Sequence, residues 1–159
     1  MEDKDFTPTD DLTQGVPGFL FVDHIAIAVP SGQLEAQLEI YRMMGIYEFH
    51  REIMTGQDQV REVLLRIGQG PNLLQLLEPL SPQSPVQKAI ERNSGKGGLN
   101  HVGFRVRDIH RAFRYFQDQG FHLLDDAPRR GSRGSTVFFV HPKTLPGHAL
   151  NVLVEVVQE

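Results

Sequence analysis

The chain has 159 residues, 40% hydrophobic and 23% charged, with a net charge of −4 when its histidines are neutral. That length and balance suit one compact domain or two fused half-domains, and nothing is basic enough to make nucleic acid the main partner. The chain has no cysteine, so disulfides and thiolate metal sites are excluded, a bound metal must use nitrogen and oxygen ligands, and no apolar run approaches the length of a membrane span.

Residues 1–18 begin with an acidic, apolar-poor stretch and are expected to form a mobile arm. They lack the apolar core of a secretory signal and the arginines of a transit peptide, so the expected location is the cytoplasm. Phe19 to Val29 reads as a strand. Ser31 is placed to cap a helix whose apolar residues Leu34, Leu38 and Tyr41 fall at helical spacing, and Gly45 ends it. Residues 46–54 and 60–67 read as strands around a turn at Thr55–Asp58, and Leu73 to Leu77 as a fourth. The first module, 19–80, is therefore βαβββ.

A linker, 81–98, holds a short helix that Ser84 caps with Pro85 at its first position. The second module, 99–159, repeats the order. It has a strand from Leu99 to Val106, then a helix capped by Asp108 with the stripe Ile109, Ala112, Phe113 and Phe116, closed by Gly120. Strands near 121–125, 135–141 and 148–157 complete it. The expected fold is α+β, two βαβββ modules paired about a pseudo-dyad.

The duplication carries chemistry. Asp23-His24-Ile25-Ala26 opens one module and Asn100-His101-Val102-Gly103 the other. A single histidine on a strand is ordinarily packed or hydrogen-bonded, but equivalent histidines in paired modules converge, as metal ligands must. His50, His110, His122, His141 and His148 have no such counterpart.

Several stretches resemble one family. They are Val22-Asp23-His24-Ile25-Ala26-Ile27-Ala28-Val29, His50-Arg51-Glu52, Leu76-Leu77-Glu78-Pro79-Leu80-Ser81-Pro82, Leu99-Asn100-His101-Val102-Gly103-Phe104 and Phe139-Val140-His141-Pro142-Lys143. In this order and spacing they are similar to the vicinal oxygen chelate (glyoxalase-like) superfamily, and within it to the methylmalonyl-CoA epimerase branch. The resemblance implies a dimeric isomerase that uses a divalent metal (Co, Zn, Mn, Ni or Fe) and a small-molecule substrate of the acyl-CoA type. It puts metal ligands at His24, Gln75 and His101.

The family's last glutamate, both ligand and base, is the point of departure. An alignment without gaps puts Asn151 in its place. The internal repeat agrees, because the step from His24 to Gln75 is nearer in length to that from His101 to Asn151 than to Glu155. Asn151 is therefore the favoured occupant. Glu155 faces the same way on an extended strand but about 13 Å further along, and an insertion before the strand would bring it in. The family's second glutamate, in the turn before the third strand, is also missing; Asp58 is the carboxylate within that turn, and Glu52 and Glu62 flank it. Arg129, Arg130, Arg133 and Lys143 are candidates to hold a carboxylate or CoA phosphates. Three functions stay open: an acyl-CoA epimerase with its carboxylate at Glu155, a divergent enzyme of this scaffold acting on another carbonyl substrate, and a protein that binds a small molecule without chemistry.

Overall fold

The computed structural model describes residues 15–159. The elements run β1 (Phe19–Ala28), α1 (Leu34–Met43), β2 (Tyr47–Met54), β3 (Val60–Arg66), β4 (Leu73–Pro79), α2 (Pro85–Arg92), β5 (Gly98–Val106), α3 (Ile109–Asp118), β6 (Arg129–Arg130), β7 (Thr136–Val140) and β8 (Leu153–Gln158), with a 3-10 turn at Ser132–Gly134. The fold is α+β. The chain divides into two compact units, residues 24–100 and residues 101–159 together with the described residues up to Asp23.

In the unit of residues 24–100, the strand order is β2-β3-β4-β1, with β1 parallel to β4 and the other pairs antiparallel. Strand alternation separates two faces. Val63, Leu65, Leu74 and Leu76 pack with Val29 against Leu34 and Leu38 of α1. The other face carries Ala26, Ala28, Val60 and Leu77, which meet Val86 and Ile90 of α2. Gly97 passes so close to β1 that a Cβ there would lie 2.3 Å from the Ala28 carbonyl oxygen.

In the unit containing residues 101–159 the order is β5-β8-β7-β6, again with its first pair parallel. Val106, Phe138, Val140, Val154 and Val156 bury one face against Ile109, Ala112, Phe113 and Phe116 of α3. Each such side chain contributes roughly 1.5–3 kcal/mol, so the apolar stripe of α3, not its propensity, holds it there. Val16 packs against the same cluster, and the Gly18 carbonyl accepts from the Arg107 amide at 3.0 Å. The last residues of the expected arm are thus held; its earlier part lies outside the described residues.

Two expected caps are present. Ser84 Oγ accepts from the Val86 amide, and Asp108 Oδ1 accepts from those of His110 and Arg111. The backbone bond from Arg111, and then that from His110, hold the Asp108 carboxyl below its ordinary value.

Three expectations are corrected. Ser31 does not cap α1, because Glu78 of β4 reaches across and accepts from the Gly32 and Leu34 amides at 3.0 and 3.1 Å. Residues 121–125 make only an isolated bridge, Leu123 to Val140, since the Asp125 carboxylate takes the Phe139 amide that a strand neighbour would have used. The last strand begins at Leu153, not 148. Ahead of it Leu145 and His148 bridge each other, and the Leu150 amide donates to the Pro142 carbonyl at 2.7 Å, so the chain folds back on itself.

Candidate functional site

Glu155 sits on β8, opposite Gly103 of β5 and Phe139 of β7. Its carboxylate is buried, and Oε2 lies 3.0 Å from His101 Nε2. The parallel register pairs His101 with Leu153, so His101 and Glu155 project from the same face, the one turned away from α3. The edge of the His101 ring meets the Phe139 ring at a centroid distance of 5.3 Å. The result is an imidazole and a carboxylate in contact within an aromatic wall.

Asn151 does not share this position. It lies ahead of β8, exposed, with a left-handed φ of 62°. The turn from Pro142 to Leu150 takes up the extra residues, which shifts the strand's carboxylate from the position of Asn151 to that of Glu155. The preference for Asn151 is therefore corrected by the geometry of the turn.

In the other unit, His24, Ala26 and Ala28 of β1 share a face with Gln75 of β4, because Ala26 pairs with Gln75. His24 and Gln75 are both about 95% shielded, at 5% exposure. Gln75 Nε2 donates to Glu62 Oε2 at 2.8 Å, while Gln75 Oε1 is buried with no hydrogen-bond partner among the described residues. A buried amide oxygen without a donor is costly, and it is the kind of oxygen that ligates a hard or borderline cation. Glu62 also lies directly across from Glu52 of β2, which His50 Nε2 approaches at 3.2 Å. One ligand atom each from His50, Glu52 and Glu62 lies within 4.8 Å of the others. Glu62, named from sequence only as a flanking residue, is thus a buried part of the same face as Gln75. Its alternation with Val60 and Leu64 was the signal available.

Asp58 lies in the turn between β2 and β3, half-buried; its carbonyl accepts from Ser84 Oγ at 3.1 Å, which ties the turn to the start of α2. The basic candidates divide. Arg129 pairs with Asp125 at 2.9 Å and lies over the Phe139 ring. Arg133, with a left-handed φ of 56°, pairs with Glu159 at 2.5 Å. Arg130 and Lys143 are exposed. A contact that sequence could not show is the Arg105 guanidinium on Asp23: Nε and Nη2 both lie 2.6 Å from Oδ2. The two residues are 82 positions apart, and the pair anchors the backbone next to His24.

A model of the Glyoxalase/Bleomycin resistance protein/Dioxygenase superfamily matches residues 23–139. The chain belongs to this superfamily. The structure of methylmalonyl-CoA epimerase from Mycobacterium tuberculosis superposes with a TM-score of 0.77 at 32% identity, over 92% of this chain and 90% of that one. A Streptomyces coelicolor methylmalonyl-CoA epimerase in complex with 2-nitronate-propionyl-CoA gives 0.77 at 37% identity, over 89% and 98%. The mitochondrial methylmalonyl-CoA epimerase of Homo sapiens is 28% identical over 95% of this chain and 81% of its own length. Within the superfamily the chain therefore stands in the epimerase-like branch, with the glyoxalase-like fold of those structures.

Proposed function

We propose that the chain is an isomerase of the acyl-CoA epimerase type, with methylmalonyl-CoA or a close carboxylated analogue as substrate. The observation that carries this reading is Glu155, a buried carboxylate in contact with His101 on the strand where the branch requires its base. It favours the first of the three functions above, because a carboxylate can accept the α-proton that an amide cannot.

In this reading, which the family resemblance supports, His24, Gln75, His101 and Glu155 are assigned as the residues that would hold one divalent metal ion. The donor set fits: two imidazoles, a carboxylate, and an amide oxygen buried without a hydrogen-bond partner among the described residues. Bound there, the ion supplies Lewis acidity that lowers the cost of an enediolate. The chain's own residues do the rest. Glu155 Oε2 takes the α-proton on one face of the substrate, and Asp58 is assigned to return a proton on the other. Phe139, at the His101 ring, excludes water from that side. Arg129, Arg130, Arg133 and Lys143 are assigned to a carboxylate or the CoA phosphates, as the family resemblance suggests. The homodimer belongs to the same proposal and rests on the family resemblance. Among the described residues no helix is long and apolar enough to cross a membrane.

The test is α-hydrogen exchange of methylmalonyl-CoA in heavy water, with metal content measured on the same sample. Exchange that requires the metal supports epimerase-type chemistry. A metal-loaded protein that leaves the α-hydrogen in place sinks it.

A further inference from the structure

The turn that delays the last strand also walls a cavity. It has a volume of about 650 Å³ and lies between Gly120, at the end of α3, and the turn of residues 143–149. None of the assigned metal ligands lines it, and α3 packs on the sheet face opposite to that of His101 and Glu155. The chain carries 20 acidic side chains against 16 lysines and arginines, yet the ionisable groups around this cavity are Lys143, His122 and His148, with no carboxylate among them. We propose that the cavity is a binding site for a phosphate ester.

The lining groups are held in place by the backbone and by one another. The His122 amide donates to the Thr144 carbonyl and the His141 amide to the His122 carbonyl, each at 2.9 Å. The His122 ring stacks on that of His141, with 4.5 Å between centroids and 14° between planes. His141 Nδ1 in turn accepts from the Lys143 amide at 2.9 Å. Pro146 and Gly147, whose φ is 76°, form the middle of a turn closed by the His148 amide on the Leu145 carbonyl at 2.9 Å. That turn brings His148 back to the cavity that Lys143 borders. Thr144 lines it at 5% exposure, and its Oγ1 has no hydrogen-bond partner among the described residues. Rotation about the first side-chain torsion exchanges its hydroxyl and methyl, and a phosphate oxygen in the cavity gives that hydroxyl an acceptor. A phosphate presents acceptor oxygens to every donor of this set, an ammonium, two imidazoles and a hydroxyl. Leu145, Pro146 and Ala149 make the rest of the wall apolar, and the space exceeds what a bare phosphate fills. The ligand is therefore an ester that carries an organic group.

The experiment titrates phenyl phosphate into the full chain by calorimetry in phosphate-free buffer, with CoA titrated in parallel. Three variants are compared with the wild type. His122→Phe keeps a ring against His141 but removes the donors, Thr144→Val keeps the shape but removes the hydroxyl, and His148→Ala removes the second imidazole. Each should weaken binding roughly tenfold or more, the scale of a hydrogen bond to a charged group. The phosphate has two possible sources, and both support the site. If it belongs to the acyl-CoA, CoA displaces phenyl phosphate and loses affinity in the same variants. If it belongs to a separate ester, CoA and phenyl phosphate bind together, and CoA affinity stays at the wild-type value in all three. No saturable binding of phenyl phosphate, with CoA affinity unchanged in the variants, overturns the proposal. Phenyl phosphate bound equally tightly by wild type and all three variants also overturns it, because the ester then sits elsewhere. His122 and His148 are exposed, so their variants carry the test if Thr144→Val fails to fold.

Discussion

Replacing Glu155 by Gln separates the two carboxamide-or-carboxylate assignments for the last strand. The change keeps the side chain's shape and an acceptor oxygen but removes charge and basicity. Positioned acid–base groups contribute about 10²- to 10⁴-fold, which is roughly 2.7–5.4 kcal/mol of barrier at about 1.36 kcal/mol per tenfold. The buried contact to His101, 3.0 Å long, adds a folding effect. Hydrogen bonds to a charged group contribute about 1.5–3 kcal/mol. For a domain of this size that lowers Tm by roughly 3–12 °C. Asn151→Ala should leave exchange unchanged. Asn151 is exposed in a left-handed turn, and the alanine meets only the local conformational cost, about 1–2 kcal/mol. The assay is α-deuterium incorporation into methylmalonyl-CoA by each variant, paired with thermal unfolding. Glu155→Gln exchanging at the wild-type rate, or folded and metal-loaded Asn151→Ala losing exchange, would refute the assignment.

Glu78→Ala removes the acceptor for two amides at the start of α1. At about 1–3 kcal/mol for a buried donor left unmatched, which applies to the Leu34 amide and not to the exposed Gly32, thermal unfolding should show a loss of roughly 1–3 kcal/mol, with Glu78→Gln in between; an unchanged melting curve would mean water caps the helix instead. Asp108 predicts a pH effect. Its folded carboxyl is held below the ordinary value of 3.8 by the Arg111 and His110 amides, so its cap adds stability above that value and loses it as pH falls through the folded one. The stability gap between wild type and Asp108→Ala, measured by urea unfolding, should be widest near neutral pH and close in acid; a gap independent of pH would contradict this.

Local features were legible where a residue acts on its sequence neighbours. Ser84-Pro85 and Asp108 cap the helices they precede, and the Phe113 and Phe116 spacing marks the buried stripe of α3. The repeated Asp-His and Asn-His openings marked the strands that carry His24 and His101. Contacts between distant residues were not legible. The α1 cap comes from Glu78, 44 positions beyond Leu34, and Asp23 meets Arg105 with no local sign of it. The misplacement of Asn151 has a specific cause. Counting positions from His101 assumes that both modules spend equal lengths on their loops, but the second inserts a turn. Pro146-Gly147 within it was a readable turn signal that argued for a later strand start.

β4 is buried along its whole length, yet it carries one polar residue on each side: Gln75 beside Glu62, and Glu78 at the α1 terminus. A slip of one residue would exchange the faces. It would drive the Gln75 amide among Val63, Leu65 and their neighbours and withdraw Glu78 from the helix it caps. Each stranded group costs about 1–3 kcal/mol, more where charged. Correct pairing of this central strand is thus proofread twice, once from each side of the sheet. A chain that misaligns β4 loses its chemistry and its helix start in the same event, so few misaligned copies persist as stable but inactive protein.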